Sequence, residues 1–189
     1  MMARVILGGL LGGLAMWFVG FIFWGTPLSL LALSNAGDAQ SVAVQAALAQ
    51  NLGPGGTGAY AIPWPGTAAG TAAYGQGPVA LVLFNASGFA NPDMSALVGG
   101  LVLGIVCTLL LAVGLRMAGE ASLGRRLTLV AIFAVAITAY SQIGQPIFNH
   151  APWGYFIYLW ISEIVGWIAA GAIIAKLLPA AAPVASQQL

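Results

Sequence analysis

One carboxylate, Glu163, lies deep inside an apolar run of this 189-residue chain. An acid at the centre of a membrane helix costs about 2.5–3.5 kcal/mol on insertion scales, so it is expected to face a partner or a cavity and not lipid. Trp160 precedes it by three residues and Trp167 follows by four, the spacing that sets both indoles on the same helical face. An earlier apolar run carries Thr138, Ser141, Gln142 and Gln145 at i, i+3, i+4 and i+7, a single polar stripe at a depth that matches Glu163. This set admits two chemistries. It can form a proton, ion or ligand site lined by Glu163, the stripe and the two tryptophans, or it can be polar glue between two helices. No second acid, buried base or helix break completes a transport path, which favours glue.

The other reactive side chains are few. His150 is the sole histidine, so the chain cannot supply a bis-histidine haem; as part of a turn it either rests satisfied or meets a ligand or proton. Cys107 stands alone in an apolar run, which excludes an internal disulfide or a multi-cysteine metal site. Neither a phosphate-binding glycine loop with its lysine nor a nucleophile set against the histidine is evident. The sequence therefore predicts no enzyme, no catalytic residue, no metal and no cofactor. Asn85-Ala86-Ser87 fits a glycosylation acceptor, but three residues are too short a match to predict modification.

Small residues recur at close-packing intervals: Gly8, Gly9, Gly12 and Gly13; Gly100 and Gly104; Ser162, Gly166 and Ala170. Such steps let helix backbones approach closely, either within the chain or as docking faces for a larger complex. Trp17, Trp160 and Trp167 lie deeper than the aromatic belt and either face lipid or line a groove for a quinone, lipid or pigment.

These residues need helices to hold them, and composition says in what solvent. With 60% hydrophobic and 5% charged residues and a mean hydropathy of +0.97, the chain reads as a membrane protein, since soluble domains are about a quarter charged. A net charge of +1 with no basic run argues against nucleic acid. Four runs are long enough to cross a bilayer, at about 5–24, 95–115, 127–145 and 153–178. Arg4, Arg116, Arg125, Arg126 and Lys176 all then fall on one side, which by the positive-inside rule is the cytoplasm and holds both termini. The first run is longer than a signal-peptide core and is expected to be retained.

The expected fold is an all-α membrane protein: a four-transmembrane-helix bundle in one domain, with an external segment at about 25–94 between spans one and two. Within it, Thr26-Pro27 opens a short interfacial helix to about Leu33, and Asp38 caps a helix to about Gln50. Glycine and proline from Gly53 to Gly77 suggest turns and extended chain. Thr57 to Ile62 and Pro78 to Phe84 suggest a hairpin-like β-ribbon, marginal alone and in need of something to pack on. A cytoplasmic loop at 116–126 carries Glu120, Pro146 ends the third span, and a mobile tail occupies 179–189. Short connections make spans two, three and four antiparallel neighbours, while the neighbour of span one is left open.

The opening Leu7-Gly8-Gly9-Leu10-Leu11-Gly12-Gly13, the segment Gly58-Ala59-Tyr60 with Pro63, Gly77-Pro78 before a short strand, and the closing Gly166-Trp167-Ile168-Ala169-Ala170-Gly171 resemble a family of uncharacterised small four-span bacterial inner-membrane proteins. The resemblance implies a multi-pass inner-membrane location with 25–94 periplasmic, and it brings no activity or site residues. Taken together, the residues suggest a non-enzymatic accessory subunit that docks through its glycine-rich helix faces and external segment, with membrane lipids and a larger membrane complex or copies of itself as partners. The alternative is a small transporter or apolar-ligand protein built on Glu163.

Overall fold

A computed structural model describes residues 2–119 and 122–179. Glu120 and residues 180–189, which include all but the first residue of the expected tail, lie outside the described residues. In chain order the elements are α1 (Met2–Trp24), a 3₁₀ turn (Pro27–Leu31), α2 (Asp38–Leu52), a 3₁₀ turn (Gly53–Gly55), β1 (Gly58–Ile62), α3 (Ala68–Gln76), β2 (Ala80–Phe84), α4 (Met94–Met117), α5 (Leu123–Thr138), a π turn (Ala139–Ile143), α6 (Gly144–Asn149) and α7 (Trp153–Leu177). Four helices are long and apolar enough to cross a membrane: α1, α4, α7 and the continuous run Leu123–Asn149 made of α5, the π turn and α6.

The chain divides into two compact units, residues 1–34 with 94–189, and Asn35–Asp93. In the first, α1 packs on both α4 and α7, and α5 packs on α7. The paired glycines of α1 explain how one helix serves two neighbours. Gly9 and Gly13 lie against Leu109 and Ile105 of α4, while Gly8 and Gly12 lie against Ile174 of α7. Adjacent helix positions point about 100° apart, so two glycine pairs one residue out of phase open two faces to close approach. The Trp17 indole N–H donates to the Leu97 carbonyl at 3.0 Å, and the Tyr158 hydroxyl donates to Phe23 O at 2.6 Å. These contacts run in opposite order along each helix pair, as do Gly171 against Val130 and Arg126 against Ala175. Neighbouring helices are therefore antiparallel, and all five cations of the sequence belong to helix ends gathered on one side of the unit.

The sequence left the neighbour of span one open; it has two, α4 and α7. Two features of this unit differ from the sequence expectation. Spans two and three are not packed neighbours: an apolar cleft lies between α4 and α5, because α5 is drawn to the glycine at position 171 of α7 and α4 to those of α1. Pro146 does not end the third span; the π turn immediately before it loosens the i to i−4 ladder where the proline lacks a donor, and the helix continues to Asn149. Of the small residues open to packing or docking, Gly8, Gly9, Gly12, Gly13, Gly104, Gly166 and Ala170 are buried inside the chain, and Gly100 alone of the set is exposed.

In the second unit, β1 and β2 pair antiparallel with Gly58 opposite Phe84 and Ile62 opposite Ala80. The expected extended stretch contains a helix instead. Thr67 accepts from the Gly70 N–H and caps α3, whose alanines outweigh its glycines. The two strands are thus joined through a helix and not by a tight turn. Asp38 is the first residue of α2 and not its cap, a position held by Gly37 at φ 81°. No residue from 35 to 93 is buried.

Candidate functional site

Glu163 sits half-buried on α7 and meets the third long helix at one point. The Gln142 side-chain amide donates to Glu163 Oε1 at 2.8 Å. Gln142 belongs to the π turn, whose wider winding rotates everything after it relative to everything before it. That rotation breaks the predicted stripe. Thr138 is buried and donates to the Ala134 carbonyl of its own helix; Ser141 is exposed and donates to Thr138 O at 3.2 Å. Gln145 accepts from the Asn149 amide at 2.8 Å. A uniform helical period cannot foresee a π turn, so four residues read as one face and only Gln142 reaches the carboxylate.

The two tryptophans likewise part company. Trp160 lines a groove with Ala139, Tyr140, Ile143 and Trp153, and its buried indole N–H has no hydrogen-bond partner among the described residues. Trp167 lines the cleft between α4 and α5, a space of about 430 Å³ walled by Cys107, Leu110, Gly114, Leu129, Phe133 and their neighbours. Trp17, also read as a groove residue, instead spends its indole on the α1–α4 contact. The arrangement can hold an amide–carboxyl pair between α7 and the π turn, and an apolar guest in the cleft. Among the described residues no cluster of three histidine, cysteine or acidic side chains is placed to hold a metal. His150 ends α6 in the left-handed region at φ 51°, exposed, with its backbone N–H on Gln145 O.

Two residues matter more than their sequence positions suggested. Thr108 is fully buried, with Oγ1 at 2.7 Å from the Gly9 carbonyl across the α1–α4 contact and 2.8 Å from Gly104 O. Arg126 is 5% exposed, and its guanidinium donates to the carbonyls of Ala175 at 3.0 Å, Leu178 at 2.9 Å and Pro179 at 2.5 Å. It caps the C-terminus of α7, where orphan carbonyls and the helix dipole both favour a cation. A signal existed: Arg126, Val130, Ala134 and Thr138 recur at i+4, and all four are buried.

The fold and the site define a protein with four apolar helices long enough to cross a membrane, one amide–carboxyl pair and an apolar cleft. The sequence matches no protein-family profile, no curated protein and no solved structure.

Proposed function

We propose that the chain is a multi-pass protein of a bacterial inner membrane, a four-helix bundle with both termini cytoplasmic and about 25–94 periplasmic, acting as a non-enzymatic accessory subunit of a larger membrane complex. One observation carries the reading: the unit Asn35–Asp93 has regular structure but no buried residue, and nothing within the unit covers the Leu81 and Leu83 face of β2, 65% and 78% exposed. A two-stranded ribbon with an open apolar face is marginal alone and gains stability from what covers it. With the glycine faces taken up inside the chain, this unit is the docking surface. Native mass spectrometry after gentle extraction tests the reading. Wild type is expected in a stoichiometric complex that Leu81→Asp with Leu83→Asp dissolves; a complex indifferent to both substitutions, or none at all, refutes it.

The second reading, a small transporter or apolar-ligand protein, draws on the Gln142–Glu163 pair at the π turn, since π turns recur at functional sites. Glu163→Gln abolishes transport or ligand retention if the carboxylate is functional. Wild-type behaviour of that variant assigns it to helix packing.

A further inference from the structure

Of the five cations at one side of the helical unit, three are already engaged. Arg116 reaches the Met2 sulfur, Arg126 is turned into the end of α7, and Arg125 has an interaction of its own. Arg4 on α1 and Lys176 on α7 are exposed, and among the described residues no hydrogen bond or ion pair engages either side chain. Both belong to one groove. Lys176 lines it with Leu11, Ala15 and Phe18 of α1 and with Ile173 and Leu177 of α7. Arg4 precedes Leu11, Ala15 and Phe18 by two, three and four helical turns, so at about 100° per residue all four fall within about 60° on α1. The two helices are antiparallel, with Tyr158 bonded to Phe23 O toward one end and Gly8 against Ile174 toward the other, which sets Arg4 and Lys176 at the same mouth.

The chain has four acids, and none is placed at this mouth among the described residues. Glu163 is bonded to Gln142 and stands about 20 Å along α7 from Lys176 at 1.5 Å per residue. Asp38 and Asp93 belong to the other unit. Glu120, outside the described residues, is in the connection from α4 to α5. Those two helices pack on other faces: α4 on Gly9 and Gly13, about 160° round α1 from Leu11, and α5 on Gly171, about 120–160° round α7 from Ile173, Lys176 and Leu177. Met1 and residues 180–189, also outside the described residues, contain no acidic side chain. In the groove Ala15, Ile173 and Leu177 are half-buried along the floor, and Leu11 and Phe18 are exposed along the rim. An apolar groove that ends on two unengaged cations is complementary to a molecule with a hydrocarbon tail and a negative head.

We propose that the α1/α7 groove is a binding site for an anionic phospholipid, its tail along Leu11, Ala15 and Phe18 and its phosphate between Arg4 and Lys176. The site rests on the membrane reading above, but not on the accessory role. In the test, the purified full chain is exchanged into vesicles of equal phosphatidylglycerol and phosphatidylcholine with identical tails, floated, re-extracted, and its retained lipids counted by native mass spectrometry. Wild type is expected to keep phosphatidylglycerol at least about fivefold over phosphatidylcholine, the gain that one basic residue brings at an anionic lipid. Arg4→Gln with Lys176→Gln brings that ratio close to one; both side chains are exposed and unbonded, so the fold tolerates the change. Arg4→Lys with Lys176→Arg keeps the preference, and so does Arg125→Gln. Equal retention by wild type, no retained lipid, or an unchanged ratio in the double glutamine variant overturns the proposal. An equal loss in Arg125→Gln overturns it too, since the preference would then belong to the whole charged side, and so does a protein partner, in place of lipid, that the double variant releases. Protein that does not float refutes the membrane reading itself, whereas failure of the accessory role shows separately as the absence of any protein partner.

Discussion

Alanine at Gly13 and alanine at Gly8 are the same chemical change five residues from each other on one helix, and they are expected to act oppositely. A Cβ built at Gly13 lies 2.6 Å from Ile105 Cα and 2.7 Å from Ile105 N, backbone atoms with no rotamer to yield. Restoring ordinary contact at 3.5–4.0 Å separates α1 from α4 by about 1 Å. The Thr108 contact to Gly9 O, 2.7 Å in the native packing, then stretches beyond hydrogen-bond range. Overpacking of this kind costs about 1–3 kcal/mol and the lost hydrogen bond about 1 kcal/mol, so Gly13→Ala should destabilise by about 2–4 kcal/mol. At Gly8 the nearest atom, Ile174 Cα, stands at 3.5 Å, an ordinary contact. There alanine gains its helix preference over glycine, about 0.8–1.0 kcal/mol in water, with no compensating clash. Unfolding each variant in mixed micelles by rising dodecyl sulfate, followed by far-ultraviolet circular dichroism, gives the two free energies. Gly20→Ala, with nothing within 4 Å, is the control and should match Gly8→Ala in sign. Equal destabilisation at Gly8 and Gly13, or none at either, would sink the claim that the two glycine pairs serve different neighbours.

Other perturbations separate the remaining contacts. Arg126→Met strips three carbonyls at the end of α7 of a buried donor and should cost about 2–4 kcal/mol in the same unfolding assay; exposed Arg125→Met should cost under about 1 kcal/mol, and equal losses would contradict the cap. Thr108→Val should lose about 1 kcal/mol and Thr108→Ser much less, because serine keeps the hydroxyl that faces Gly9 O; parity of the two would assign Thr108 to shape alone. Glu163→Leu leaves the Gln142 amide without its acceptor and should destabilise by about 1–2 kcal/mol, whereas Glu163→Gln retains a carbonyl oxygen in place and should stay within about 0.5 kcal/mol of wild type. A large loss for the glutamine variant would mean that the charge, and not the hydrogen bond, holds the pair.

How far the sequence was legible depended on whether the relevant physics was periodic. The four long apolar helices, the short turn after Thr26, α2 and both strands follow from hydropathy, capping and β-branching, and the structure has all of them near the expected bounds. The depth match between Gln142 and Glu163 was also readable, because it needs only residue counting from the shared turn. What escaped was aperiodic. The π turn at Ala139–Ile143 inserts extra winding that no 3.6-residue template contains, and with it went the roles of Ser141 and Gln145. The helix α3 was hidden by glycine and threonine that, taken singly, signal turns, although Thr67 and the alanines supply a cap and a helical body. Neighbour choice escaped too, since short loops suggested contact between α4 and α5, while shape decided against it.

That decision by shape follows one rule at all the contacts. In lipid, apolar side chains gain little from leaving one apolar surroundings for another, so helices associate where backbones can come close or where polar groups meet. α1 offers two glycine faces and uses both. α7 offers Gly171 to Val130 and the carbonyls of its C-terminus to Arg126, and so claims α5. The facing surfaces of α4 and α5 carry Leu110, Leu111, Phe133 and Ile137, whose bulk holds the backbones apart, so that even Gly114 of α4 meets nothing across the cleft. A cleft there is the consequence of the same rule that closed the other three contacts. Replacing Leu110 and Phe133 together by glycine should therefore let α4 and α5 approach and shrink the cleft, read as a shorter distance between spin labels on the two helices; an unchanged distance would contradict the claim that bulk at these positions keeps them apart.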